Sequence, residues 1–103
     1  MKLYFTLLLL LVAPFFGIAQ TYSTVKGKIV KSENLGAMES VNIVNLNQVI
    51  GTTTNSEGDF EIRAKANDTL HLSYLGYKSI KVKVSNDWVK YGTSTTIELT
   101  ELA

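Results

Sequence analysis

Ile50-Gly51-Thr52-Thr53-Thr54-Asn55-Ser56-Glu57-Gly58-Asp59-Phe60-Glu61-Ile62 holds a complete hairpin in one stretch of chain. The threonines from Thr52 to Thr54 favour extended backbone, because branching at Cβ restricts χ1 in a way that a pleated surface accommodates. Asn55-Ser56-Glu57-Gly58 reads as a turn: Asn bonds to backbone two residues on, and Gly tolerates φ > 0. From Asp59 to Arg63 the pattern alternates strictly, with Phe60 and Ile62 on one face and Asp59, Glu61 and Arg63 on the other. That is a strand with one buried side, joined to its neighbour by a loop longer than two residues.

The same alternation extends outward on both sides. Upstream, Val25-Lys26-Gly27-Lys28-Ile29 sets Val25, Gly27 and Ile29 against two lysines and gives a first strand. Gly27 within it marks a bulge or a close backbone approach. Ser32 to Glu39 is a turn region without proline, and Met38 is placed at the end of the core as a flexible filler. Val41 to Leu46 is apolar on both faces, as a central strand is. Asn45-Leu46-Asn47-Gln48 turns the chain into a third strand, Val49 to Thr54. Downstream, Leu70, Leu72 and Tyr74 oppose Thr69, His71 and Ser73 in a fifth strand. Leu75-Gly76 is a turn, and Tyr77 to Val84 alternates cleanly as a sixth strand. Ser85 to Thr93 reads as a long loop carrying Trp88 and Tyr91, and Thr95 to Leu99 as the last strand. Seven short strands with turns between them, and no helix after the N-terminal leader, predict an all-β antiparallel sandwich.

Two linked patterns carry a family resemblance. The first is Gly51-x-Thr53-x-x-x-x-Gly58-x-Phe60-x-Ile62, with Asn55 opening its turn. The second is Asp68-x-Leu70-x-x-Ser73-x-x-Gly76-Tyr77. Together they resemble the carboxypeptidase-regulatory-like domain over roughly Val25 to Val84. The resemblance implies a transthyretin-like seven-stranded β-sandwich, with Tyr77 packed beside the Gly76 turn as part of the core. It also implies a bacterial setting, since relatives occur in cell-envelope proteins and at the start of outer-membrane TonB-dependent receptors. Relatives often carry a Pro-Leu-x-Gly segment where this chain has Gly36-Ala37-Met38-Glu39-Ser40. A shared fold does not dictate a function.

The N-terminal residues have a different character. Lys2 precedes an apolar run from Leu3 to Phe16, broken by Thr6 and Pro14, and Gly17-Ile18-Ala19 ends in small residues at the positions read by signal peptidase. This pattern predicts a signal peptide over 1–19 cleaved after Ala19, a flexible arm over 20–24, the sandwich over 25–99 and a short tail over 100–103. The expected location is the periplasm or the outer membrane, or outside the cell. A lipidated anchor needs a cysteine, and the chain has none. Disulfides, thiol chemistry and Cys-bearing metal sites are excluded on the same ground. With 10 basic and 9 acidic residues the formal net charge is +1, so nothing favours nucleic acid or an anionic surface.

No set of residues converges on catalysis. His71 is the lone histidine and sits on the polar side of its strand. Ser73, His71 and Asp68 supply the residue types of a hydrolytic triad without a nucleophile elbow or an oxyanion-hole segment. Glu57, Asp59 and Glu61 lack the ligand spacing of a calcium loop and read as a solvated face. Asn67-Asp68-Thr69 fits an N-glycosylation acceptor that a bacterial protein is not expected to use. Asp68-Thr69-Leu70 is similar to a short bacterial O-glycosylation signature. No catalytic residue, metal site or cofactor is therefore assigned. The expectation is a non-catalytic accessory or interaction domain that presents its sheet edges and loops to an envelope protein or a downstream domain, either free-standing or as a piece of a larger outer-membrane protein. Trp88 and Tyr91 keep open a carbohydrate-binding alternative, against the plainer reading of Trp88 as a lid on the sandwich. A small hydrolase centred on His71 is the remaining alternative.

Overall fold

The structure is a computed structural model that describes residues 23–103; the predicted leader and most of the predicted arm lie outside the described residues. The strands are β1 (Ser23–Lys31), β2 (Asn42–Asn45), β3 (Ile50–Thr53), β4 (Asp59–Ala64), β5 (Thr69–Ser73), β6 (Ile80–Lys83) and β7 (Thr95–Leu99), with one helix, α1 (Asn86–Tyr91), before the last strand. They form a three-stranded sheet in the order β4-β1-β7 and a four-stranded sheet in the order β3-β2-β5-β6. Val25, Ile29, Phe60, Ile62, Ile97 and Leu99 point inward from the first sheet, and Ile43, Leu70 and Leu72 from the second. Val41, Val84, Met38 and Trp88 complete the apolar interior.

The hairpin that decides the fold is held by its own turn. Asn55 Oδ1 accepts from the Glu57 and Asp59 N–H groups, each at 3.0 Å, and the Gly58 N–H donates to the Asn55 carbonyl. Gly58 has φ 77°, and a Cβ there would run into the Ile29 carbonyl, which lies in β1. Only glycine permits both the left-handed conformation and that approach. The Gly58 carbonyl in turn accepts from the Ile29 N–H at 2.8 Å, tying the turn to the next strand. Gly27 is a close approach of the other kind: the Phe60 ring occupies the space that a Cβ would need.

Four features correct the sequence reading. β1 and β7 run parallel, so the sandwich is not wholly antiparallel. The predicted long loop contains α1: Ser85 Oγ accepts from the Trp88 N–H at 3.1 Å, Asp87 lies in the first turn, Lys90 in the last, and Gly92 closes the helix in the left-handed region. The sixth strand is only Ile80–Lys83, because Tyr74 to Tyr77 forms a turn with a 3.0 Å bond from the Tyr77 N–H to the Tyr74 carbonyl. The third strand begins at Ile50, since Val49 has φ 55° and belongs to the hairpin loop. The predicted tail also has a structural part. Lys78 N–H donates to the Thr100 carbonyl and Leu102 N–H to the Gly76 carbonyl, so residues after β7 join the two sheets along one flank.

Candidate functional site

The sheets end in four edge strands: β4 and β7 in one, β3 and β6 in the other. An edge strand offers unpaired backbone donors and acceptors, and charged side chains are the usual guard against unwanted pairing. β4 carries Asp59, Glu61 and Arg63; β6 carries Lys81 and Lys83; β7 carries Glu98. β3 reads Ile50-Gly51-Thr52-Thr53 and has no charge.

The pairing parity fixes which groups β3 leaves free. The Leu46 N–H donates to the Thr69 carbonyl at 2.9 Å, so Asn42 and Val44 turn their backbone groups toward β5 and Ile43 and Asn45 turn theirs toward β3. Thr52 and Ile50 lie opposite Ile43 and Asn45 and face β2 in return. The N–H and C=O of Gly51 and Thr53 therefore point away from the sheet, as alternation along a strand requires.

Two cavities flank this edge, and Thr52 and Thr53 line both. The outer bay, about 570 Å³, lies on the solvent face of the sheet and is lined by Asn42, Val44, Gly51 and Ser73 besides the threonines. The cleft bay, about 450 Å³, lies between β3 and β4 and is lined by Asn55, Asp59, Phe60 and Glu61. The outer bay contains no ionisable side chain; Asp59 and Glu61 border the cleft bay from β4, with side chains on the exposed face of that strand opposite inward-facing Phe60. Glu61 approaches Lys26 at 3.7 Å on the exposed face of the other sheet. At the end of the edge, the β2–β3 loop exposes Leu46, Val49 and Ile50, with Val49 82% exposed. A β-branched residue at positive φ is an outlier, since glycine or asparagine would sit there with less strain.

The structure sorts the motif residues by role. Asn55, Gly58 and Gly76 build turns; Phe60, Ile62 and Leu70 are core. Tyr77 is half-buried against the core edge, in edge-to-face contact with Tyr74 at 5.8 Å between centroids, and its hydroxyl donates to Glu33 Oε1 at 3.2 Å. Ser73 of β5 meets Gly51 and Thr53 of β3 in the outer bay, although the two strands are separated by β4 in the sequence.

Asp68 is a latch. It is 4% exposed, and its Oδ2 accepts from Asn45 Nδ2 and the Lys65 N–H at 3.0 Å and from Gln48 Nε2 at 3.3 Å. Burial alone would raise its pKa; the hydrogen bonds from Asn45, Lys65 and Gln48 outweigh that and hold it below the usual carboxylate value of 3.8. Asn45, fully buried, also donates to the Arg63 carbonyl at 3.0 Å, while its Oδ1 accepts from the Asn47 and Gln48 N–H groups. The triad arrangement is absent: His71 and Ser73 share the solvent face of β5, while Asp68 lies on the core side among its amide partners. Among the described residues no group of three His, Asp or Glu side chains could hold a metal ion.

Trp88 is 6% exposed, and its indole Nε1 donates to the Lys26 carbonyl at 2.8 Å. It is a lid on the sandwich, which removes it from any sugar-stacking surface. Tyr91 remains 65% exposed, with Lys90 Nζ 5.4 Å from its ring centre.

Sequence reasoning passed over Asn42 and Val44 in the outer bay and Asn45 and Gln48 at the latch. The charge-free edge was already visible in Ile50-Gly51-Thr52-Thr53; its partner Asn45 could have been found only as a polar residue at a position of buried parity. Among described residues no helix is long and apolar enough to cross a membrane. No curated protein matches the chain. The CarboxypepD_reg-like domain matches over residues 25–102, from the first core residue of β1 to the segment that ties the sheets together, and the chain belongs to that family.

Proposed function

We propose that this domain is a non-catalytic protein-interaction module of the bacterial cell envelope, exported by its N-terminal leader, that holds its partner by strand addition to β3. The observation that carries the reading is the charge distribution over the edges: three edge strands carry ionisable side chains and β3 carries none. Its free Gly51 and Thr53 backbone groups supply main-chain hydrogen bonds, and the bays on either side supply room for side chains. The partner is another envelope protein or a domain downstream in the same polypeptide. The leader pattern from Lys2 to Ala19 supports export.

Two measurements test this. Hydrogen exchange on the domain with and without an envelope partner recovered by cross-linking is expected to slow at Gly51 and Thr53; slowing confined to the β6 or β7 edges would refute the assignment. Mass spectrometry of exported protein is expected to find Gln20 at the N-terminus, and an intact Met1 would remove the export argument.

A further inference from the structure

β3 is the one edge strand without a charged side chain, and an unguarded edge invites uncontrolled pairing. We infer that, until another partner arrives, a second copy of this chain covers it, the two β3 strands pairing antiparallel about a two-fold axis at Thr52. This inference rests on the strand-addition reading above and names the occupant of the edge in the unengaged protein.

The free backbone groups of this edge match themselves. They belong to Gly51 and Thr53, and the free run ends on both sides. The Val49 N–H already donates to the Asn45 carbonyl at 2.8 Å. The Asn55 N–H donates to the Asp59 carbonyl, and the Asn55 carbonyl accepts from Gly58, each at 3.0 Å. A long partner strand therefore finds only a short run to bond, whereas a second β3 is equally short. With Thr52 opposite the copy's Thr52, Gly51 faces the copy's Thr53, and Thr53 the copy's Gly51. Each facing pair exchanges both of its N–H···O bonds, so every free group of both strands is bonded. A register centred on Gly51 would set Thr53 against Val49, and one centred on Thr53 would set Gly51 against Asn55. Both of those opposing residues have spent their N–H groups.

The side chains fit the same register. Gly51 and Thr53 line the outer bay, so the copy's Thr53 stands over Gly51 there. A Cβ built on Gly51 would sit 3.6 Å from Val44 Cγ2, so the missing side chain leaves a gap above Val44 that the threonine covers. By symmetry the arrangement occurs on both sides of the axis. On the cleft side Thr52 meets the copy's Thr52 as a non-hydrogen-bonded pair, with Cα atoms about 4.5 Å apart. Ile50 to Thr53 bring no charge into the contact. The same pairing at β6 would set Lys81 and Lys83 close to their own copies.

The pairing also ends itself. It joins two sheets of order β3-β2-β5-β6 into one whose outer edges are both β6. Those edges carry Lys81 and Lys83, which oppose a third copy. A contact between two such short strands falls below the about 1,000 Å² that a stable interface buries, so the dimer is weak and yields to a better partner.

The test uses the expected exported chain from Gln20, which contains every strand of the fold. The amide resonances of Gly51 and Thr53 are followed as concentration rises to about 1 mM, the range of a weak contact. Both are expected to shift with concentration, those of Lys81 and Lys83 to stay fixed, and Thr53→Lys to abolish the shift. Cysteine, which the chain lacks, reads the register. In oxidised glutathione, Thr52→Cys is expected to form a disulfide-linked dimer at least about tenfold faster than Thr53→Cys, because thiols held at the axis react at a raised effective concentration. The two copies of Thr53 lie more than about 8 Å apart in this register, beyond disulfide reach, although Thr53 is the more exposed residue. Equal rates would overturn the pairing about Thr52, as would concentration-dependent shifts confined to Lys81 and Lys83. Fixed Gly51 and Thr53 amides up to about 1 mM would overturn the second-copy assignment. Strand addition would still stand if an envelope partner slowed exchange at those amides, and both readings would fall if it did not.

Discussion

On the flank between β6 and β7, the indole of Trp88 satisfies the Lys26 carbonyl where β7 has not yet begun, and the Lys78–Thr100 and Gly76–Leu102 bonds stitch one sheet to the other. On the flank between β3 and β4, the Asn45 side chain ties the sheets at the Arg63 carbonyl, but the β3 edge itself faces solvent between two bays. The stitched flank uses an aromatic lid, a capped helix and a cross-sheet bridge to occupy backbone groups that the sheets leave over. The other flank leaves comparable groups free beside threonine side chains. A sandwich this small has little core to spare, so sealing one flank sustains the fold while the other remains available for a partner.

The largest effect is expected from removing the stitched flank. A chain ending at Val84 lacks α1, β7 and the bridging residues, and leaves the β7-facing side of β1 unpaired along with an open core. It is expected to lose cooperative thermal unfolding altogether, followed by circular dichroism. A sharp two-state transition in that fragment would show that β7 is not required for the core. Trp88→Ala is a milder break in the same place. Truncation of a buried tryptophan costs about 3–5 kcal/mol, and here the Lys26 carbonyl also loses its donor. Denaturant unfolding should show that loss, whereas Tyr91→Ala, three residues on and exposed, should change stability by no more than about 0.5 kcal/mol.

The contrast between Trp88 and Tyr91 shows what the sequence could and could not disclose. Strand periodicity was legible wherever one face is buried, as in Asp59 to Ala64, because alternation with period two is the direct trace of that burial. The helix was harder to read. Ser85, Asp87, Lys90 and Gly92 are all cap and dipole signals, but a six-residue helix spans too few turns to display an apolar stripe, and the loop reading prevailed. The fate of Trp88 depends on a carbonyl 62 residues away in sequence, a contact that no local pattern encodes. The same holds for the outer bay, where Gly51, Thr53 and Ser73 were visible as a motif while their meeting place followed only from strand order.

The Asp68 latch ties β5 to the β2–β3 loop and so belongs to neither flank; its loss should be intermediate. Asp68→Ala removes the acceptor for Asn45, Gln48 and Lys65 and should cost roughly 1–3 kcal/mol, the penalty for buried donors left without partners. The pH dependence has a definite sign. The folded pKa is depressed, so the latch contributes fully above the unfolded value of 3.8 and its contribution is lost as pH falls through the folded value. Denaturant unfolding between about pH 6 and pH 3, a range that brackets the unfolded value of 3.8, should show wild type losing more stability than Asp68→Asn. Parallel pH profiles for the two would remove the latch from the account.

Smaller still is the strain at the β2–β3 loop. Val49 occupies a left-handed conformation at φ 55° while remaining almost fully exposed, so it neither packs nor suits its backbone. Val49→Asn should raise stability by about 1 kcal/mol, since asparagine tolerates this region and valine does not. If the apolar tip formed by Leu46, Val49 and Ile50 serves a partner, that gain in stability should come with weaker binding. A gain in both would detach the tip from the interaction surface.

The smallest expected change in stability is the most informative about the open flank. Thr53 is exposed, its side chain faces the outer bay, and its backbone groups point off the sheet. Thr53→Lys leaves the pairing with Asn42 intact, places a charge on the one edge that lacks it, and should shift stability by no more than about 0.5 kcal/mol. A lysine on an edge strand opposes the addition of another strand, so partner binding at the Gly51 edge should fall sharply in this variant. The matched control is Lys83→Thr on β6, which removes a charge from the edge next to the stitched flank and should leave partner binding at Gly51 unchanged. Loss of binding in Thr53→Lys at unchanged stability, with Lys83→Thr silent, would assign recognition to the β3 edge. Retained binding in Thr53→Lys would mean that the absence of charge on β3 has no part in recognition, and the contrast between the flanks would then be one of stability alone.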